Sequence, residues 1–262
     1  MKTEALTSPA NPLLKDVRLA IARGGLTSKG CCVAEGFHLL EEALRSGADI
    51  QTVLASQSAR GMVEARVRKL HASRVLVLPE RLFETVAGTE ASQGVITLVR
   101  PPRWTLEQVF RGRALVVVLD GVQDPGNAGT ILRTAEAFSA TGVLVLKGTV
   151  SPYNPKAVRA SAGSLFRIPV VCGLEAATIL TAFEQQRLDL YAASPSGGCE
   201  LPQANLRRNC ALIIGNEGRG VRPELCAAAT GLRIPTSRVE SLNAAVAAAV
   251  LLYEARRQRT LR

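Results

Sequence analysis

The chain has 262 residues, of which 47% are hydrophobic, and a formal net charge of +10. This length and apolar content predict a folded protein of one large or two ordinary domains, and they exclude a disordered chain. Six cysteines without C-x-x-C spacing and only two histidines argue against a zinc site or a disulfide framework, so we expect no bound metal.

The positive charge and the start of the sequence bear on partners and location. Arginine forks pair with phosphate, so a basic chain favours a nucleic-acid partner, although charge alone fits a basic soluble protein equally well. Aromatic residues make up 4% of the chain, which argues against a platform for stacking single-stranded bases. No apolar secretion signal opens the sequence, and no stretch reaches about 18 consecutive apolar residues. We therefore expect a cytoplasmic protein without a membrane span.

The first hundred residues alternate between helix and strand patterns. Apolar residues at helical spacing in 11–24 predict a leading helix that ends at a glycine. The pattern then reads strand, helix and strand in 33–56, and helix and strand in 59–79, which predicts a small α/β sandwich. Two adjacent prolines follow the next strand-like stretch and mark a domain boundary. We place an N-terminal domain at 1–104 and a C-terminal domain at 105–262.

The C-terminal domain carries six short apolar runs, typical of parallel strands covered on both faces. These runs lie at 114–120, 142–147, 168–173, 188–194, 210–215 and 231–236. Helical patterns separate most of them, so we predict an α/β domain with a parallel sheet. Ligands of such sheets bind where the carboxyl ends of the strands lead into loops, and these loops are the places to look for chemistry.

The loop after the first run leads into a helix with one isolated arginine. Pro125 and Gly126 predict a turn, and Asn127 predicts the helix cap. Arg133 lies off the apolar stripe of the helix, and on the residues alone a solvated ion pair with Glu136 explains it simply. The loop is not a phosphate-binding loop, because no Lys and Ser or Thr follow its glycines.

The sequence IIGNEGRGV, residues 213–221, places the carboxylate of Glu217 among three glycines. These glycines exceed what one turn requires, which indicates that another group approaches the backbone closely. A multi-glycine turn with a solvated Glu217 is the simpler alternative. A nucleotide-binding oxidoreductase is disfavoured, because the glycine spacing departs from the dinucleotide fingerprint.

The stretch 234–259 predicts a long C-terminal helix. Ser241 is placed to cap this helix, which is rich in alanine and apolar on nearly every face through Leu252. The helix then turns basic at Arg256, Arg257 and Arg259.

Three of these stretches resemble the signature motifs of a known enzyme family. NAGTILRTAEAF, LIIGNEGRGV and IPTSRVESLNAAVAAAVLLYE are similar, in this order and spacing, to the three motifs of the SpoU (TrmH-like) RNA 2′-O-ribose methyltransferases of the SPOUT superfamily. SPYNPKAVRASAGSLFRIPV, residues 151–170, also resembles the family. The first domain is similar to the family's N-terminal RNA-binding domain, although less specifically. Thr236 and the SRVE segment depart from the family's pattern.

The resemblance implies a fold that pattern reasoning would reject, because knotted chains are rare. It implies a C-terminal SPOUT domain with a parallel sheet and a trefoil knot, preceded by a smaller α/β RNA-binding domain. It also implies S-adenosylmethionine as the methyl donor. Arg133 is the implied catalytic residue, with Asn127, Glu217, Ser241 and Asn243 completing the site. The implied cofactor contacts are Gly215, Gly218, Ile234 and Leu242.

The implied reaction is methyl transfer to a ribose 2′-hydroxyl of RNA. Ribosomal RNA is favoured over tRNA as the target, and a non-catalytic RNA-binding protein is the alternative from another functional class. The family and the apolar C-terminal helix together predict a homodimer through the C-terminal domain. In that arrangement the basic ends at Arg256, Arg257 and Arg259 would extend the positive surface for RNA.

Overall fold

The computed structural model describes residues 2–68, 74–89, 91–194 and 198–260. The strands are β1 Lys2–Ala5, β2 Cys32–Glu35, β3 Asp49–Ser56, β4 Arg74–Leu78, β5 Val95–Arg100, β6 Leu115–Asp120, β7 Gly142–Leu146, β8 Val170–Leu174, β9 Asp189–Ala193, β10 Cys199–Glu200, β11 Cys210–Gly215 and β12 Thr230–Arg233. The α-helices are α1 Pro12–Arg23, α2 Phe37–Arg45, α3 Arg60–Val67, α4 Glu80–Glu84, α5 Leu106–Val109, α6 Pro125–Ala137, α7 Pro155–Ala160, α8 Ala176–Gln186, α9 Pro223–Ala228 and α10 Ala244–Thr260.

The chain forms two compact units, each built from two segments. The first unit contains Met1–Pro102 and Ser151–Phe166, and the second contains Arg103–Val150 and Arg167–Arg262. Within the described part of the chain, no helix has the length and apolar character that a membrane span requires.

The first unit is a mixed five-stranded sheet with helices packed on it. Its strand order is β1-β4-β3-β5-β2, and β5 runs antiparallel to β2 and β3. The leading helix α1 buries Leu14, Val17 and Ala20 in the core, as its spacing predicts. It ends at Gly24, which takes the left-handed conformation with φ of 62° that glycine tolerates best. The sequence patterns did not predict β1, which forms by pairing in parallel with β4.

The second unit is a parallel seven-stranded sheet in the order β10-β12-β9-β11-β6-β7-β8. The six apolar runs of the sequence correspond to β6, β7, β8, β9, β11 and β12. All six residues of β6 are buried, which explains why its sequence is a continuous apolar run rather than an alternating one. The short strand β10 was not predicted, because two residues carry no periodic pattern. The α/β class with a smaller N-terminal unit is therefore confirmed.

The segment 151–166 packs with the first unit although it follows β7 of the second. Its helix α7 buries Ala157 and Val158, and a short 3-10 turn after α7 buries Leu165 and Phe166. Glu35 of β2 lies 3.9 Å from Arg159 of this segment. A single cut between 104 and 105 therefore separates this segment from residues that it packs against.

The basic end of α10 is not an open cluster of three cations. The guanidinium of Arg259 donates to the carbonyl oxygens of Leu206 at 2.8 Å, Arg113 at 2.9 Å and Ala114 at 2.8 Å. Burial lowers the pKa of Arg259. Arg257 forms two hydrogen bonds with Glu254, both 2.7 Å long. Arg256 is exposed. The guanidinium of Arg259 is occupied by backbone carbonyls, so the expectation that all three arginines extend the positive surface for RNA is wrong for Arg259.

Candidate active site

The predicted site residues lie where β6 and β11 end side by side. The two strands are parallel neighbours, and Asp120 at the end of β6 is in register with Gly215 at the end of β11. The chain leaves β6 toward β7 on one side, whereas β11 lies on the other side. Such a position between strands is where parallel α/β sheets bind ligands.

A cavity of about 360 Å³ opens beside these strand ends. It is lined by residues that follow β9, β11 and β12 and by the residues that lead into α10. Its apolar part includes Ile214, Leu232, Ile234 and Leu242, and its polar part includes Asn216, Glu217 and Ser241. A larger open groove of about 720 Å³ beside α8 and β9 contains none of the predicted site residues.

The glycines of GNEGRG have different roles in the loop after β11. A Cβ on Gly215 would collide with the backbone of Gly220 and Val221. The close approach predicted here is therefore made, at least in part, by the later residues of the same loop. Gly220 has φ of 71° and forms a bridge with Asn216. Gly218 has neither constraint, and its N–H donates to Asn216 Oδ1 at 2.9 Å. Gly218 does not line the cavity, whereas Gly215 does.

An ion pair that sequence reasoning missed ties this loop to β6. Arg222 Nε donates to Asp120 Oδ1 at 2.6 Å, and the Arg222 backbone N–H donates to Asp120 Oδ2 at 2.8 Å. Asp120 is 3% exposed, and this pairing satisfies its buried charge. Asn216 Nδ2 also donates to the Gly121 carbonyl at 2.8 Å. The sequence does show an aspartate, Asp120, at the end of an apolar run, which could have indicated a buried ion pair. Its partner Arg222 is 102 residues away, so no local pattern connects the two.

Three predicted residues from three separate stretches form one hydrogen-bonded set. Asn127 Nδ2 donates to Glu217 Oε1 at 3.0 Å, and Asn243 Nδ2 donates to Asn127 Oδ1 at 3.0 Å. The Gln123 N–H donates to the second oxygen of Glu217 at 3.2 Å. Since Glu217 and Asn243 line the cavity, the set lies at its edge.

Glu217 is held in its charged form. Partial burial raises its pKa, but hydrogen bonds from Asn127 and from the backbone of Glu217 and Gln123 outweigh burial and lower the pKa overall. Glu217 is exposed, as the simpler alternative expects, but its carboxylate accepts hydrogen bonds from Asn127 and Gln123 rather than from water alone.

The helix caps differ from those predicted. Asp124, not Asn127, caps α6, because its side chain accepts from the Asn127 N–H at 2.7 Å. Asn243, not Ser241, caps α10, since its Oδ1 accepts from the Ala245 N–H at 2.9 Å. The first shift leaves the Asn127 side chain free to join Glu217 to Asn243, and Asn243 still donates through Nδ2 while its Oδ1 caps α10. Ser241 is exposed and lines the cavity.

Arg133 is exposed on α6, two turns beyond Asn127. Among the described residues it makes no hydrogen bond or ion pair, because Glu136 pairs with Arg167 at 2.5 Å instead. The expected pair of Arg133 with Glu136 is therefore wrong. Arg133 does not line the cavity, and its guanidinium is open to solvent.

No cluster of three or more His, Cys, Asp or Glu side chains suited to a metal occurs in the described ranges. The site instead combines a neutral polar set, one carboxylate and an apolar cavity. This combination suits an organic ligand with an apolar part and a positive centre.

Comparison with known proteins identifies the family. A model of the SpoU rRNA Methylase family matches residues 114–253. This chain is 31% identical to the 23S rRNA (guanosine(2553)-2'-O)-methyltransferase RlmP of Bacillus subtilis, over 96% of this chain and 98% of that protein. It is 35% identical to an uncharacterized tRNA/rRNA methyltransferase of Synechocystis sp., over 97% of this chain and 94% of that protein.

The chain belongs to the SpoU rRNA methylase family.

A solved SpoU methyltransferase supports the same assignment. The structure of AviRb from Streptomyces viridochromogenes in complex with AdoMet matches this chain with a TM-score of 0.84 and 27% identity. The match covers 95% of this chain and 98% of that one. A model of the MRM3-like substrate binding domain matches residues 11–97. The predicted family, SPOUT fold, enzyme class and methyl donor are therefore confirmed.

The cavity of this SpoU methylase fits S-adenosylmethionine. Ile234 and Leu242 give the cavity apolar walls, and ligand pockets of this kind combine apolar walls with a few polar groups. The charged Glu217 at the cavity favours a positive centre nearby. Of the four predicted cofactor contacts, Gly215, Ile234 and Leu242 line the cavity and Gly218 does not.

Proposed function

We propose that this SpoU methylase transfers a methyl group to a ribose 2′-hydroxyl of 23S rRNA. The observation that carries the proposal is the set of Asn127, Glu217 and Asn243 at the edge of the cavity, with the unpaired Arg133 on the same helix as Asn127. The name of the Bacillus subtilis relative supports 23S rRNA rather than tRNA as the substrate. The division of roles among these residues is part of the proposal.

S-adenosylmethionine supplies, when bound, a methyl group that is already activated on a sulfonium. The chain's own task is to orient the 2′-hydroxyl and to stabilise the oxygen as its proton leaves to water. Arginine is a poor base, because its guanidinium stays protonated in proteins. Arg133 therefore holds the adjacent phosphate and stabilises the developing negative charge on the ribose oxygen.

The other site residues position this chemistry. Glu217 fixes the Asn127 side chain by accepting from its Nδ2, and Asn243 fixes the other end by donating to its Oδ1. Asn127 is thereby held in one orientation beside the cavity. Ser241 lines the cavity with a hydroxyl that can contact the ribose or the donor.

The test is transfer of labelled methyl groups to defined RNAs. Full-length protein, S-adenosylmethionine and an unmodified 23S rRNA transcript should give a single 2′-O-methylated nucleotide on mapping. If the protein binds S-adenosylmethionine tightly but transfers methyl groups only to tRNA transcripts, the substrate is tRNA and not 23S rRNA. No binding of S-adenosylmethionine would favour the non-catalytic RNA-binding alternative.

We also propose a homodimer through the second unit and a cytoplasmic location. Val246 and Tyr253 lie seven residues apart on α10 and are 50% and 58% exposed, so one helix face presents large apolar side chains to solvent. Tyr253 also packs edge-on against Phe138 at 5.8 Å. A second copy would cover this face. The cytoplasmic location is part of the same proposal, because bacterial 23S rRNA lies in the cytoplasm.

A further inference from the structure

Helix α1 of the first unit has a solvent face opposite its buried side. With about 3.6 residues per turn, the residues opposite the buried stripe form one continuous strip along the helix. This strip comprises Lys15, Leu19, Ala22 and Arg23, all of them exposed. Leu19, in the middle of the strip, is 45% exposed.

The cations of this strip are not neutralised by a neighbour. Among the described residues, the side chains of Lys15 and Arg23 make no hydrogen bond or ion pair. The one acidic residue of α1, Asp16, is instead bound to Ser28, whose N–H and Oγ both donate to it at 2.8 Å. This pairing holds the turn after α1 against the helix, and the exposed Lys29 follows Ser28 in that turn.

Helix α7 adds a fourth cation at the end of α1. A Cβ on Gly24, the cap of α1, would lie 3.2 Å from Cγ of Asn154, so the two helix ends are in contact. Asn154 caps α7 and accepts from the Lys156 N–H at 2.9 Å. Lys156 is exposed and its side chain has no partner in the described structure. We call Lys15, Arg23, Lys29 and Lys156 the α1 basic face.

Several other exposed cations of the first unit are paired, whereas Arg68 and Arg81 are exposed and have no partner among the described residues. Arg45 lies 2.7 Å from Glu42, Arg60 lies 2.9 Å from Glu64, and Arg74 pairs with Glu4. These arginines have carboxylates that compete with any incoming anion. The α1 basic face has none, so its charge is available to a polyanion.

We propose that the α1 basic face binds the phosphate backbone of the RNA substrate. The proposal rests on the proposed function and adds the surface of the first unit that holds the RNA. Lys15 and Arg23 lie about 12 Å apart along the helix axis, so they contact different phosphates of one strand. Contacts to phosphate position an RNA without reading its sequence. The exposed Leu19 between them packs on the sugar or base edges that the phosphates flank.

The experiment compares two full-length variants with the same change in charge. One carries Lys15→Gln, Arg23→Gln and Lys156→Gln, and the control carries Arg45→Gln, Arg60→Gln and Arg74→Gln. Affinity for an unmodified 23S rRNA transcript is measured between about 50 and about 200 mM salt. The α1 variant should show a log–log salt slope shallower by about 2 to 3, at ~0.7–0.9 per lost phosphate contact. The control should keep a slope close to that of the wild type.

Two further properties are measured for each variant: its affinity for S-adenosylmethionine and the number of chains per particle. Both variants should bind S-adenosylmethionine as the wild type does, because no substitution is in the second unit. Equal salt slopes for the two variants would overturn the proposal. A change only in the number of chains per particle would assign the face to a second copy and also overturn it. If the wild-type protein binds the RNA but transfers no methyl group, the proposed function is refuted. The α1 basic face is then still tested by the salt slopes of the two variants.

Discussion

Arg133 is an exposed cation with no partner among the described residues, on the same helix as Asn127, whose side chain is fixed by hydrogen bonds. We expect Arg133→Ala to lower methyl transfer about 100-fold or more, because a donor aimed at developing charge is lost. Arg133→Lys should fail nearly as badly, since a point charge does not replace a planar fork on phosphate. Single-turnover transfer to the 23S rRNA transcript measures both.

The control for this prediction is Arg111→Ala, which removes another exposed arginine of the second unit. Its rate should match the wild type. Affinity for S-adenosylmethionine should be unchanged in all three variants. Turnover of Arg133→Ala near the wild-type rate would contradict the assigned role.

Gly215 and Gly218 provide a matched pair within one loop. Gly215→Ala places a methyl group against the backbone of Gly220 and Val221, which cannot move aside without reshaping the loop. We expect it to abolish S-adenosylmethionine binding and to lower the melting temperature. Gly218→Ala meets nothing closer than Asn216 Oδ1 at 3.6 Å, so it should be nearly neutral. Calorimetric titration and thermal melts decide the matter, and equal effects of the two substitutions would refute the steric argument.

Glu217 gives a pH-dependent prediction. Its pKa is lowered from the ordinary value of 4.5, because hydrogen bonds to its carboxylate outweigh its partial burial. A lowered pKa in the folded state stabilises the fold above the unfolded-state value, and this contribution is lost as the pH falls through the folded-state value. The difference in melting temperature between wild type and Glu217→Gln should therefore be constant near neutral pH. It should shrink as the pH falls below 4.5, and a difference that grows there would contradict this sign.

At the scale of elements, Arg259 fastens α10 to the starts of β6 and β11. Its guanidinium satisfies several backbone carbonyls, including those of Leu206 and Ala114. Each hydrogen bond from a charged donor contributes about 1.5–3 kcal/mol, so Arg259→Ala should lower the free energy of unfolding by about 3 kcal/mol or more. Urea denaturation measures this loss.

Arg256→Ala is the control on the same helix end, because Arg256 is exposed. It should change the free energy of unfolding by less than about 0.5 kcal/mol. A similar, small effect of both substitutions would mean that Arg259 does not hold α10 in place.

At the scale of the whole molecule, the proposed dimer should be tested on the full chain. A fragment of 105–262 would expose Val158, Leu165 and Phe166, which pack in the first unit, and its association would be hard to interpret. Light scattering at micromolar concentration should give the mass of two chains. Val246→Glu with Tyr253→Lys should shift the mass to one chain, because charges replace the exposed apolar face of α10.

The control for the dimer is Met62→Glu, which charges an apolar side chain of the first unit that is 50% exposed. It should leave the two-chain mass intact. A one-chain mass for the wild type, unchanged by S-adenosylmethionine, would rule the dimer out.

The sequence by itself determined the elements whose signal is local. A continuous apolar run such as β6 predicts a strand buried on both faces, and the stripe of Leu14, Val17 and Ala20 predicts α1. The resemblance of the three motifs to the family implied the family, the methyl donor and six of the residues that line the cavity. The strands and helices, in contrast to the family, depend on residues a few positions apart, where side-chain periodicity and turn chemistry act directly.

The tertiary structure decided the features that join distant residues. Asn127 and Asn243 are 116 positions apart, and no local pattern shows that they bond each other or that Asp124 and Asn243 are the true caps. Serine and asparagine cap helices about equally well, so the geometry of the neighbouring chain decides between them. The attachment of 151–166 to the first unit and the role of Arg259 depend on the same kind of contact. Such contacts form only once the sheet brings strand ends together, because the free energy that favours them comes from partners the local sequence does not contain.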